Sequence, residues 1–145
     1  MLNELSKEIH EANRKKGFYE EIEEIQRVLF KHNPKLVKSF NQTLFASRMA
    51  LLTSEASEAL EANRKSNQML MVSDHQKEVV LPEMNDEQFI EWFSSNVKDT
   101  EEDELADVAI RLFDEVGRSE IDIDFHIKMK LRFNSLRPRK HGKEY

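Results

Sequence analysis

Apolar residues recur along this chain at three- and four-residue spacing, the period of a helix with one buried face. Leu2, Leu5, Ile9 and Ala12 share one side of a segment placed over about Asn3 to Lys16, with Gly17 ending it. Ile22, Ile25 and Leu29 predict a second short helix, stopped before Pro34 because the residue ahead of a proline avoids helical backbone angles. Ser39 followed by Gln42 has the form of a capping box, so a long helix is expected from there to about Lys65. Asn85 with Gln88 predicts the start of a short helix carrying Phe89, Trp92 and Phe93. Thr100 with Asp103 caps another, which Gly117 closes. Trp92 and Phe93 are read as packing residues rather than as a surface for a base.

Two stretches do not follow the helical period. Residues 66–84, SNQMLMVSDHQKEVVLPEM, set two apolar runs around a polar centre, as a small β-hairpin or a structured flap does, and a flap is expected. From Ile121 to Phe133 every odd position is apolar. Period two is a strand signal, and on a helical wheel these side chains spread nearly all round. No other stretch offers a partner strand of that length. The segment is therefore read as a helix buried on several sides, partly by another subunit, beginning near Ser119 or Asp122 and ending at Pro138.

The fold class that follows is all-α, a helical bundle with a hairpin or flap inserted at 66–84. At 145 residues the chain fits a single domain, 1–145, able to bury a core without disulfides or structural metal. Three glycines and three prolines stand where average usage gives roughly 17 of the two together, which argues against a turn-rich β architecture. The absence of cysteine removes thiolate zinc sites, iron–sulfur clusters and cysteine nucleophiles. No apolar run approaches the ~20 residues of a membrane span, and MLNELSKEIHEANRKK lacks a signal peptide's apolar core. A cytoplasmic location without membrane contact is expected.

The net charge of -6 hides a separation of charge. Residues 99–107, DTEEDELAD, carry six acids and no base, while residues 128–143, KMKLRFNSLRPRKHGK, carry seven Lys or Arg and no acid. Either these are two solvated surfaces, or one block holds a cation and the other an anion. The acidic total argues against nucleic acid wrapped on the whole surface. The five histidines are scattered, none is paired like a ligand set, and most of them read as surface residues.

The helical wheel sharpens the acidic block. Met49, Leu52, Ala56, Ala59 and Leu60 form an apolar arc, widened by Leu44 and Leu51. Glu55 projects within about 20° of Leu44 and Glu58 about 20° outside Leu51, at the edge of the buried face. A carboxylate there has to be paired, protonated or bound to a cation; Arg48, two turns earlier, is one available partner. On the later helix Glu104 and Asp107 repeat the three-residue spacing but fall on the polar arc, as a solvated face does, with Arg111 four residues beyond Asp107. Two helices each offering two acids one turn apart make a cluster of hard oxygen ligands suited to Mg²⁺ or Mn²⁺, and to substrates that bring phosphate oxygens. The Glu-x-x-His of a di-iron bundle is absent.

These residues carry a resemblance. LLTSEASEALEANR (51–64) followed by DELADVAIRLFDEVG (103–117) resembles the MazG-like all-α nucleoside triphosphate pyrophosphohydrolases, whose hallmark is Glu-x-x-Glu on one helix and Glu-x-x-Asp on a later one. The stretch from Lys130 to Lys143 and the opening IHEANRKKGF (9–18) are similar to the ends of such proteins. The 45 residues between Glu58 and Glu104 exceed the spacing in compact members, so 66–100 reads as an insertion, and the resemblance says nothing of its role.

The resemblance implies Mg²⁺-dependent hydrolysis of a nucleoside triphosphate to monophosphate and pyrophosphate. Glu55, Glu58, Glu104 and Asp107 would hold the cation, with Glu55 positioning or deprotonating the attacking water. Lys130, Arg137 and Lys143 would neutralise the leaving pyrophosphate, and Asn134 would contact the base or sugar. It also implies a homodimer or higher homo-oligomer. The competing reading is a non-catalytic helical interaction protein whose basic C-terminal tail docks on nucleic acid or an acidic partner.

Overall fold

The computed structural model describes residues 1–69 and 71–138. Among them it is all-α, with no strand. The helices are α1 (Leu2–Lys15), α2 (Glu20–His32), α3 (Val37–Arg64), the single turn α4 (Leu81–Glu83), α5 (Asp86–Asn96), α6 (Glu101–Arg118) and α7 (Ile123–Ser135). A 3-10 turn, Pro34–Leu36, precedes α3, and a π-helical turn, Gln76–Val80, runs into α4. The backbone gathers into two compact units. One comprises Met1–Gln42 with the chain from Leu112 onward, the other Thr43–Arg111.

In the first unit α1 ends where Gly17 takes φ +87°, a left-handed angle that glycine adopts without penalty. Gly117 has a different task from the one its position suggests. It lies inside α6, which continues to Arg118, and it is a contact point: a Cβ there would stand 2.2 Å from the Ser6 carbonyl oxygen and 2.9 Å from the His10 Cβ. The left-handed residue that follows the helix is Glu120, φ +52°. Ser6 is buried beneath this crossing and donates its hydroxyl to the Asn3 carbonyl at 2.9 Å.

The same crossing buries a polar network. Asp114, on the turn before Gly117, accepts the Tyr19 hydroxyl at 2.8 Å and meets His10 Nδ1 at 2.9 Å. The imidazole stands edge-on to the Tyr19 ring, centroids 4.7 Å apart. His10 is thus an exception among histidines that mostly read as surface residues. Its place on the inner face of α1 is set by Ser6, one turn earlier. Glu115 is buried too, and Arg118 grips it from the next turn through Nε at 2.8 Å.

α7 is a helix, as read, in spite of its alternating sequence. Asp122 caps it, accepting the Phe125 N–H at 3.1 Å and the Asn3 side-chain amide at 2.8 Å. Asn3 and Asp124 exchange two further bonds, which tie the starts of α1 and α7 together. The expected burial on several sides is not met within the chain. Phe125, Met129, Leu131 and Phe133 are all exposed. The physical reason is that alternate positions on a helix point all round it, and one neighbour covers only one side.

In the second unit α3 begins at Val37, two residues before the expected cap at Ser39, because Pro34 already starts a 3-10 turn that feeds directly into it. Residues 74–83 are helical and no described residue of 66–84 is in a strand, which overturns the hairpin alternative there. α5 starts with the capping box its sequence announces. Asn85 Oδ1 accepts the Gln88 N–H at 3.0 Å and Gln88 Oε1 accepts the Asn85 N–H at 3.1 Å. Phe89 packs against Trp92 and Phe93, with ring centroids 6.3 and 5.9 Å away.

Candidate metal centre

Within the second unit the two acid-bearing helices run side by side in opposite directions. Asn63, near the end of α3, donates to Glu101 Oε2 at the start of α6 across 2.9 Å, and Arg111 Nε donates back to Glu55 Oε1 across 2.9 Å. Glu55, Ala59 and Ala62 occupy one stripe of α3 at i, i+4 and i+7. Both alanines are buried, and their small side chains let a neighbouring helix approach closely. Glu55 is therefore carried to the covered side, and its side chain is only 12% exposed.

The pairing brings one carboxylate oxygen from each of Glu55, Glu104 and Asp107 within 4.8 Å of the other two. Glu104 departs from the solvated reading that the polar arc of α6 suggests, whereas Asp107 keeps solvent contact. Glu104 is 8% exposed, and Asp107 is half-buried. The wheel sees only α6 itself, whereas the covering comes from other elements. Glu58 stands outside the set of three, exposed, and accepts the Ser54 hydroxyl at 3.4 Å. It remains close enough to be the strongest charged influence on Glu104.

The electrostatics are those of an undercompensated anion cluster. Burial first, then the charges of Glu58, Asp103, Asp107 and Glu55, push the Glu104 carboxyl above its ordinary range. Burial and then Glu55 and Asp103 push Asp107 the same way, while Arg111 pulls it back. Among the described residues no hydrogen bond or ion pair reaches the Glu104 side chain. Carboxylates gathered this closely, one of them on a buried residue, repel one another unless a cation joins them. The donors are all hard carboxylate oxygens, which fit Mg²⁺ or Mn²⁺ and not a soft metal.

The basic residues singled out in the sequence lie in the first unit. Lys130, Asn134 and Arg137 follow one another at helical spacing on and just beyond α7. Lys130 Nζ is 5.5 Å and Arg137 Cζ 5.9 Å from the centroid of the Phe133 ring, cation–π contacts at an exposed position. Lys143 lies outside the described residues. Arg111 was visible in the sequence only as a partner for Asp107 on its own helix. Its bond to Glu55 is tertiary and left no local signal.

No family model, no curated protein and no solved structure matches this chain. Among the described residues no helix is long and apolar enough to cross a membrane.

Proposed function

We propose that the chain is a Mg²⁺-dependent pyrophosphohydrolase of nucleoside triphosphates, Mn²⁺ serving as a substitute. The observation that carries this reading is the convergence of Glu55, Glu104 and Asp107, one oxygen from each within 4.8 Å of the other two, with Glu104 a buried residue. A purely structural helix pair gains nothing from that arrangement and is destabilised by it. The MazG-like pattern of the same acids supports the choice of reaction.

Glu55, Glu104 and Asp107 hold the divalent ion, with Glu58 at the rim. Bound there, the ion supplies Lewis acidity toward phosphate oxygens and lowers the pKa of water. Arg111 donates to Oε1 of Glu55; Glu55 would position the attacking water beside the ion, and the proton of that water would pass to bulk water. Water oxygen bonds to the α-phosphorus, the bond from that phosphorus to the bridging oxygen breaks, and pyrophosphate leaves. The resemblance alone gives Lys130, Arg137 and Lys143 the role of neutralising the leaving group and Asn134 that of contacting the nucleoside. The exposed apolar side chains of α7 support a homodimer.

The test is pyrophosphate release from a panel of ribo- and deoxynucleoside triphosphates with Mg²⁺. Wild-type protein is expected to turn over at least one of them, and Glu104→Gln and Asp107→Asn are expected to lose turnover while keeping helical ellipticity. No turnover of any nucleotide, together with a salt-sensitive gel shift of nucleic acid, would favour the basic tail as a docking element instead.

A further inference from the structure

Beside the carboxylates, within the same unit, lies a cavity of about 610 Å³ whose wall includes Asp107. Its size falls in the range of small-molecule sites. Phe93, Val97 and Met69 form one side, all from the segment 66–100, and Ala106 and Ile110 of α6 form the other. We propose that this cavity receives the nucleobase of the nucleotide whose phosphates meet the carboxylate cluster, so that the 66–100 segment is the base-recognition element. The proposal rests on the nucleotide reading above and adds to it the part of the substrate that this segment holds.

Three observations carry it. The first is continuity, since Asp107 belongs both to the carboxylate cluster and to the cavity wall. A ligand anchored by phosphates at one end therefore has this cavity as its neighbour. The second is chemistry. The wall is mainly apolar with an aromatic ring, which suits the face of a planar heterocycle and not another charged group. The rim charges are largely engaged already: Glu102 accepts the Met69 N–H at 2.8 Å, Asp103 accepts the Asp99 N–H at 2.9 Å, and Lys98 Nζ meets Asp99 at 2.6 Å.

The third is construction. Residues 67–69 are stitched to the start of α6: the Glu101 N–H donates to the Asn67 carbonyl at 2.9 Å, and the Asn67 side chain donates to the Asp99 carbonyl at 2.7 Å. Ser66 and Asp99, at either end of the segment, both hold left-handed angles of φ +54° and +63°. Non-glycine residues keep such angles only where surrounding structure over-determines them. These bonds tie that part of the wall to α6 without a ligand, which lowers the ordering cost of binding.

The experiment compares two ligands by titration calorimetry in Mg²⁺: a nucleoside triphosphate with a non-hydrolysable α,β-methylene bridge, and inorganic tripolyphosphate, which has no base. Wild type is expected to bind the nucleotide about five- to a hundredfold more tightly, the range that stacking one base on an aromatic side chain supplies. Phe93→Ala opens the cavity, and Ala106→Phe fills it from an exposed position of α6. Each should erase the nucleotide's advantage and leave tripolyphosphate binding unchanged. An advantage that persists in both variants, or is absent from wild type, overturns the base pocket while the carboxylate reading stands. Equal weakening of both ligands in both variants also overturns it, since the residues would then act only on the carboxylates. Binding of neither ligand to wild type overturns the nucleotide reading itself.

Discussion

Arg111 Nε donates to Glu55 Oε1 across 2.9 Å, and this bond joins the two helices that carry the acidic cluster. It sets one guanidinium against Glu55, Glu104 and Asp107, a balance that leaves the site short of positive charge. Arg111→Met should lower stability by about 1 kcal/mol in the absence of divalent ions, a modest value because the guanidinium is half exposed. Added Mg²⁺ or Mn²⁺ should recover most of that loss. Thermal unfolding with and without the ion measures both effects. An equal loss in both conditions would mean that the bond only holds the helices together.

The raised carboxyls of Glu104 and Asp107 fix the sign of a pH effect. A carboxyl whose folded pKa lies above its unfolded value binds more protons in the folded state. Its contribution favours folding at low pH and is lost as pH rises through the folded pKa. For Glu104 the loss starts from an ordinary value of 4.5 and proceeds upward. In metal-free buffer, Glu104→Gln should gain stability relative to wild type as pH climbs from about that value toward neutrality. Urea denaturation at a series of pH values measures the difference, and the difference should vanish with saturating Mg²⁺. A constant difference across pH would deny Glu104 its burial among like charges.

At Gly117 the expected effect runs against helix propensity. Alanine is the better helix former by about 1 kcal/mol, yet its Cβ would overlap the Ser6 carbonyl, a backbone group that cannot swing aside. Gly117→Ala should therefore destabilise the protein by about 1–3 kcal/mol net. A shift of the urea midpoint to lower concentration confirms it, whereas a rise would place α1 farther from α6 than described.

α7 supplies the fourth prediction. Leu131 and Phe133 are 63% and 57% exposed, so changing them removes little burial within the chain. The double variant Leu131→Glu, Phe133→Glu should keep wild-type ellipticity and sediment as a monomer, while wild type sediments as a dimer. Wild-type protein that is already monomeric would leave these side chains without the proposed second copy.

Local signals survive the step from sequence to structure well, and tertiary ones do not. Asn85 and Gln88 form their capping box because every atom of it lies within four residues. Leu5, Ile9 and Ala12 likewise mark α1, and Gly17 ends it. Most of the misplaced features depend on a distant partner, and Ser39 is the local exception. Ser39 lost its capping position to the turn begun at Pro34. Gly117 reads as a helix stop, but its lack of a Cβ answers to Ser6, more than a hundred residues away. Glu104 sits on a polar arc by periodicity, and only the packing of α3 shows that the arc is covered. For the same reason Glu55 was placed correctly at the edge of a buried face, while its bond to Arg111 was invisible. Phe93 packs against Phe89 as its spacing suggests, and it also lines a cavity that no spacing rule reveals.

The chain contains a single tryptophan, Trp92, half-buried in α5 beside Phe93 and in ring contact with Phe89. Its emission is consequently an unlabelled optical probe of one short segment, free of overlapping signal from any other indole. Far-ultraviolet ellipticity, by contrast, sums every helix. Recorded together during denaturation, the two signals coincide if α5 melts with the remainder and separate if the 66–100 segment loosens first.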